Sequence, residues 1–176
     1  MPARCFNLGQ EQDQEKIMNQ TLEKPDTNPY TLNMKRIVVA VDLSTHSKKT
    51  AFYAAQFAKS FGASLTLVHA FAPVRITEFT TEEVHKRYEE DMRDTERDLG
   101  KLAAAVRETY SDCDTEFRVG DPAEEVNLIA KDLHADLIIT ASHHPGFLSR
   151  LFGTDQAPRI LHRAQCPVLV YHEGTE

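Results

Sequence analysis

Residues 136–154 read DLIITASHHPGFLSRLFGT. The stretch opens with Leu137-Ile138-Ile139, an apolar, partly β-branched run short enough to be a strand buried on both faces. Turn formers follow, Ser142, His143, His144, Pro145 and Gly146, and the stretch closes on Gly153-Thr154. A helical pattern then starts, in which Ile160 and Leu161 return. Strand, loop and helix start is the order of a βα connection in a parallel sheet. It is also an anion-binding layout, because the first amides of a helix lack intrahelical partners and the helix dipole favours negative charge there. The layout alone does not separate these readings, since every βα connection shares it.

The neighbouring segments repeat the alternation. Ile37-Val38-Val39-Ala40-Val41 is a continuous apolar run ending at Asp42, the pattern of a central parallel strand. Ser44 or Thr45 caps a helix whose wide apolar face carries Ala51, Phe52, Ala54, Ala55, Phe57, Ala58 and Phe61, with Gly62 closing it. The next strand is Leu65 to Ala70. The longest helix runs from Thr80 to about Tyr110, with Thr80 and Glu83 as a capping box and Val84, Tyr88, Met92, Leu99, Leu102, Val106 and Tyr110 at helical spacing. Its charged outer face reads as a solvated surface. A short strand, Glu116 to Val119, leads to Asp121 as N-cap, Pro122 at N1 and Glu124 at N3. That helix presents Val126, Ile129, Ala130 and Leu133. After the opening stretch come a helix near Gln156 to Arg163 and a last strand, Val168 to Tyr171.

Five strands alternating with four helices make a single doubly wound α/β sheet. In such a sheet ligands sit beyond the carboxyl ends of the strands, where the strand order reverses. Asp42 and the loop from Ala141 to Thr154 share one crevice if the first and fourth strands flank that point.

Composition narrows the function classes. The 176 residues make one domain, 34–173, preceded by a polar extension, 1–33, too poor in apolar residues to offset its ordering entropy. The net charge of −7 gives no broad cationic face for nucleic acid. No window approaches the roughly 18 apolar residues of a membrane span, and no signal-type core stands near Met1, so the cytoplasm is the expected compartment. Cys5, Cys113 and Cys166 are an odd number without metal-ligand spacing, which reads as reduced thiols. His143-His144 lacks neighbouring ligands for a metal, and no nucleophile elbow, Walker loop or Rossmann glycine motif is present.

Three segments, VVAVDLSTHSKKTAFYAAQFA, LTLVHAFAP and DLIITASHH…LFGT…ILHRAQCPVLVY, together resemble the universal stress protein family from Met34 to His172. The resemblance implies a Rossmann-like sheet in the order 3-2-1-4-5 and a homodimer made through Val168, Leu169 and Val170. Many members bind ATP or AMP through a glycine-x2-glycine-x9-glycine-Ser/Thr motif after the fourth strand. Here Ala141 and His144 stand at the first two glycines, eight residues separate His144 from Gly153, and Gly153-Thr154 matches. The implied nucleotide residues are Ala40, Val41 and Asp42 on the first strand, Ala70 on the second, then Ala141, His144, Gly153, Thr154 and Asp155.

Glycine lets backbone approach a polyphosphate, whereas His144 fills that space. Asp155 repels phosphate at the same helix start. Arg150, Arg159 and a protonated His143 or His144 are the compensating cations. The expected role is a nucleotide-responsive regulatory module in stress response, with ATP or AMP, with or without Mg²⁺, as ligand and no catalytic residue. A nucleotide-free dimeric interaction protein and a slow ATPase are the alternatives; the protein partner is unknown.

Overall fold

The protein is described by a computed structural model that covers residues 32–72, 81–142 and 156–172. All the elements below belong to the unit Asn33–Glu176. They are β1 (Arg36–Ala40), α1 (Thr45–Phe61), β2 (Ser64–Phe71), α2 (Glu82–Arg107), β3 (Cys113–Val119), α3 (Pro122–Asp132), β4 (Leu137–Ala141), α4 (Gln156–Arg163) and β5 (Val168–Tyr171). The five strands form one sheet in the order β3-β2-β1-β4-β5, as the family resemblance implies. Every pairing is parallel.

Register follows from hydrophobic pattern. Val38 lies opposite Thr66 on one side and Ile138 on the other, and Val39 opposite Leu67 and Ile139. These two strands are flanked on both edges and covered on both faces, so their residues have no polar side to show; β4 is buried throughout. Alternation along β1 then divides the core. Ile37, Val39 and Val41 face α1 and α2, whereas Val38 faces α3 and α4 with Ile138 and Ile160. Helices therefore cover both faces, and the order of strands reverses between β1 and β4.

The face of α1 toward the sheet is built of Ala51, Ala54, Ala55 and Ala58. Small side chains let the helix axis approach the strands closely. The expected aromatic members of that face fall at its margin instead: Phe52 and Phe61 are 37% and 38% exposed. Ser44 is the cap, accepting from Ser47 N–H at 3.2 Å. Gly62 ends the helix at φ +63°, the left-handed conformation glycine adopts without a Cβ penalty.

Other boundaries shift for local reasons. The N-cap of α2 is Thr81, whose side chain makes no capping bond; Thr80 lies outside the described residues. Leu99, Leu102 and Val106 are buried as their spacing predicts, but Val84 is exposed, since the first half of α2 has little sheet beneath it. Of that half, Tyr88 meets Phe71 with ring centroids 5.4 Å apart. β3 begins at Cys113, three residues earlier than its sequence suggests, because Leu65 draws Cys113 into register. Burial pushes the Cys113 thiol up to about 11. No helix among the described residues is long and apolar enough to cross a membrane.

Candidate functional site

The candidate site lies at the carboxyl margin of the sheet, where β1 and β4 end side by side. Ala40 sits opposite Val68 of β2 and Thr140 of β4, so it marks the centre of that margin. The chain then turns sharply. Val41 N–H donates to Val68 O at 2.9 Å, and the Val41 carbonyl is 2.8 Å from His69 Nδ1. A carbonyl only accepts, so Nδ1 carries the proton. Val41 is thus held to β2 through both its backbone groups.

Asp42 follows, exposed, with Oδ1 accepting from Ser44 N–H at 3.0 Å. Between them Leu43 takes φ +63°. A left-handed conformation costs a non-glycine residue roughly 1–2 kcal/mol, and here the Asp42–Ser44 bond and the burial of Leu43 against the core hold it. Nothing in the sequence announces a strained leucine. The local result is an aspartate held at the start of α1, just beyond the end of β1.

Ala70 lies near the end of β2, half-buried, and Ala141 closes β4, buried at 7% exposure. Ser142 N–H donates to Tyr171 O at 2.9 Å, which ties the exit of β4 to β5. Ala40, Val41, Asp42, Ala70 and Ala141 therefore share one margin. His144, Gly153, Thr154 and Asp155 lie outside the described residues, as do His143 and Arg150.

Arg159, one of the cations expected to face phosphate, is engaged by the protein itself. Its Nη2 donates to Asp121 Oδ2 at 2.7 Å and its Nη1 to Gln156 Oε1 at 3.0 Å. Asp121 is also the N-cap of α3, accepting from Glu124 N–H at 3.1 Å. Burial alone would raise the Asp121 carboxyl, but Arg159 and the capping amide outweigh it and hold it below the ordinary range. The starts of α3 and α4 are coupled through this pair. Asn127, whose Nδ2 donates to Ala123 O at 2.7 Å and Ile160 O at 3.2 Å, couples them further down.

A cleft of about 350 Å³, lined among others by Lys131, His134, Gln165 and Cys166, lies at the opposite end of the sheet, beneath the ends of α3 and α4. Cys166 is half-buried beside the last strand, its thiol raised by burial and by Asp136. No group of three or more His, Cys, Asp or Glu that could hold a metal occurs among the described residues.

The sequence profile of the universal stress protein family matches residues 33–172. A universal stress protein of Thermus aquaticus, encoded 3′ of a QAH/OAS sulfhydrylase, is 33% identical over 138 residues, 77% of this chain and 97% of the relative. Among solved structures, a universal stress protein in complex with cAMP superposes with a TM-score of 0.62 at 19% identity, covering 81% of this chain and all of that one. A universal stress protein from Archaeoglobus fulgidus in complex with dAMP gives 0.53 at 19% identity, covering 79% and 98%. Both similarities concern the fold.

Proposed function

The chain belongs to the universal stress protein family, and on that footing we propose that it is a regulatory module of the stress response that binds ATP or AMP and acts as a homodimer. The nucleotide would lie across the ends of β1 and β4, met by Ala40, Val41, Asp42, Ala70 and Ala141. His144, Gly153, Thr154 and Asp155 complete the proposed set. The observation that carries the reading is the braced turn at Val41–Ser44, which spends conformational strain to fix an acidic side chain where the strand order reverses. Ligands of doubly wound sheets bind at that point. Structurally similar proteins in complex with cAMP and with dAMP support an adenine nucleotide as the ligand class.

A second reading has its own observation. Ala141 and His144 stand at two glycine positions of the phosphate motif, which favours a nucleotide-free interaction protein. Titration calorimetry with ATP and AMP, with and without Mg²⁺, separates the two. Binding at micromolar to submillimolar concentration is expected, weakened about tenfold or more by Asp42→Ala, the scale of one charge-assisted hydrogen bond. Absence of heat at millimolar nucleotide overturns the nucleotide reading and leaves the interaction protein.

A further inference from the structure

Four aromatic rings run in line along the flank of α1 and onto the edge of the sheet. Tyr53, Phe57 and Phe61 recur at every fourth residue and so share one side of the helix. Their centroids are 6.3 Å apart from Tyr53 to Phe57 and 5.0 Å from Phe57 to Phe61, and Tyr53 lies 4.7 Å from Tyr171 of β5. The alanines anchor α1, and of the three rings only Phe57 packs against the core. Tyr53 and Phe61 remain 39% and 38% exposed, and Phe57 is half-buried. Beside the strip, β5 pairs with β4 on one side and, among the described residues, is the last strand of the sheet. All four residues of β5 are half-exposed, and Leu169 reaches the same half of the core as Phe57.

We infer that this strip is the apolar face of the contact between two copies of the chain, closing across a two-fold axis beside paired β5 strands. The inference rests on the homodimer proposed above and names the surface that makes it stable. An open, apolar strand edge needs a partner. Yet a strand of four residues falls far short of the roughly 20–30 residues a side that a specific interface engages. Aromatic side chains bury about 150–250 Å² each, and the strip adds that area at the place the strand leaves uncovered.

Symmetry makes the arrangement specific. Antiparallel pairing of β5 with its own copy sets the two-fold axis perpendicular to the sheet, so both α1 helices lie on the same face of the joined sheet. The helices then face each other in opposite directions. The Tyr53 end of one strip meets the Phe61 end of the other.

Sedimentation equilibrium tests this. Tyr53→Ser with Phe61→Ser is expected to weaken the dimer at least tenfold with an unchanged circular-dichroism spectrum, while Tyr53→Phe dimerises as wild type does. Tyr53→Lys and Phe61→Glu should each be monomeric alone and associate when mixed, since the antiparallel arrangement apposes the two sites. A double-serine variant with wild-type dimer affinity, beside a monomeric Val170→Lys, overturns the strip and leaves β5 pairing standing. Charge variants that do not associate on mixing overturn the antiparallel apposition. A wild-type monomer at every concentration overturns the strip and the homodimer together, and points to a different protein as the occupant.

Discussion

His69 is placed to act on the candidate site without entering it. Its ring stacks near Phe117, at 5.9 Å, and its Nδ1–H holds the Val41 carbonyl one residue before Asp42. The side-chain nitrogen of asparagine sits where Nδ1 does, whereas that of glutamine lies one bond further out. His69→Asn is expected to keep nucleotide affinity within about twofold, and His69→Gln to lower it about fivefold, the scale of one net hydrogen bond. Calorimetry checks both, and equal losses in the two variants would show that only ring packing matters. Asp136 does the corresponding work at the other end of the sheet, where its Oδ2 accepts from Lys35 N–H at 2.8 Å and Arg36 N–H at 2.9 Å. The Lys35 amide, opposed by burial and aided by Arg36, holds this carboxyl below its ordinary value of 3.8. A depressed carboxyl contributes stability that is present above the unfolded value and is lost as pH falls through the folded one. Asp136→Asn should therefore lower stability at neutral pH, by no more than about 1 kcal/mol because solvent screens this carboxylate. In urea titrations the gap to wild type should narrow once pH drops below about 4, and a gap constant with pH would refute the linkage.

Elements differ in how firmly they are held, and this orders their exchange with solvent. β1 and β4 have hydrogen-bonded neighbours on both sides and near-complete burial. The first half of α2 exposes Val84 and touches Phe71 through Tyr88. Native-state hydrogen exchange should find the slowest amides in Ile37–Ala40 and Leu137–Ala141 and the fastest helical ones in Glu82–Asp91, since local opening scales with buried contacts. Comparable protection in both would mean that α2 is held by something its own contacts do not include. The same contrast explains what the sequence discloses. Asp121, Pro122 and Glu124 predict the start of α3 because capping is settled within four residues, and the runs in β1 and β4 announce central strands because burial on both faces leaves no alternation. Val84, Tyr88 and Met92 have helical spacing, but whether anything lies beneath them depends on where the β2–β3 edge ends. Phe52 and Phe61 look like core for the same reason, until Ala51, Ala54, Ala55 and Ala58 take that place and leave only Phe57 packed against it. At the site, Asp42 and Ala141 are legible from strand ends, whereas the left-handed Leu43 and the committed Arg159 follow from tertiary contacts that no local pattern encodes.

For the molecule as a whole, strand order separates what lies together in space from what lies together in the chain. Two core halves back onto one sheet, and β1 serves both, through Ile37 and Val39 on one side and Val38 on the other. Among the described residues the first strand made is therefore central, while its neighbour β4 comes fourth. A chain growing from its N-terminus can lay down β1, β2 and β3 with α1 and α2 as soon as Val119 has emerged. Until Ala141 follows, the other edge of β1 stays open, and β5 arrives later still. At roughly 5–20 residues per second, the stretch from Val119 to Tyr171 takes on the order of 3–10 s to synthesise. Each nascent copy thus carries a naked hydrophobic strand edge beside the ribosome for seconds.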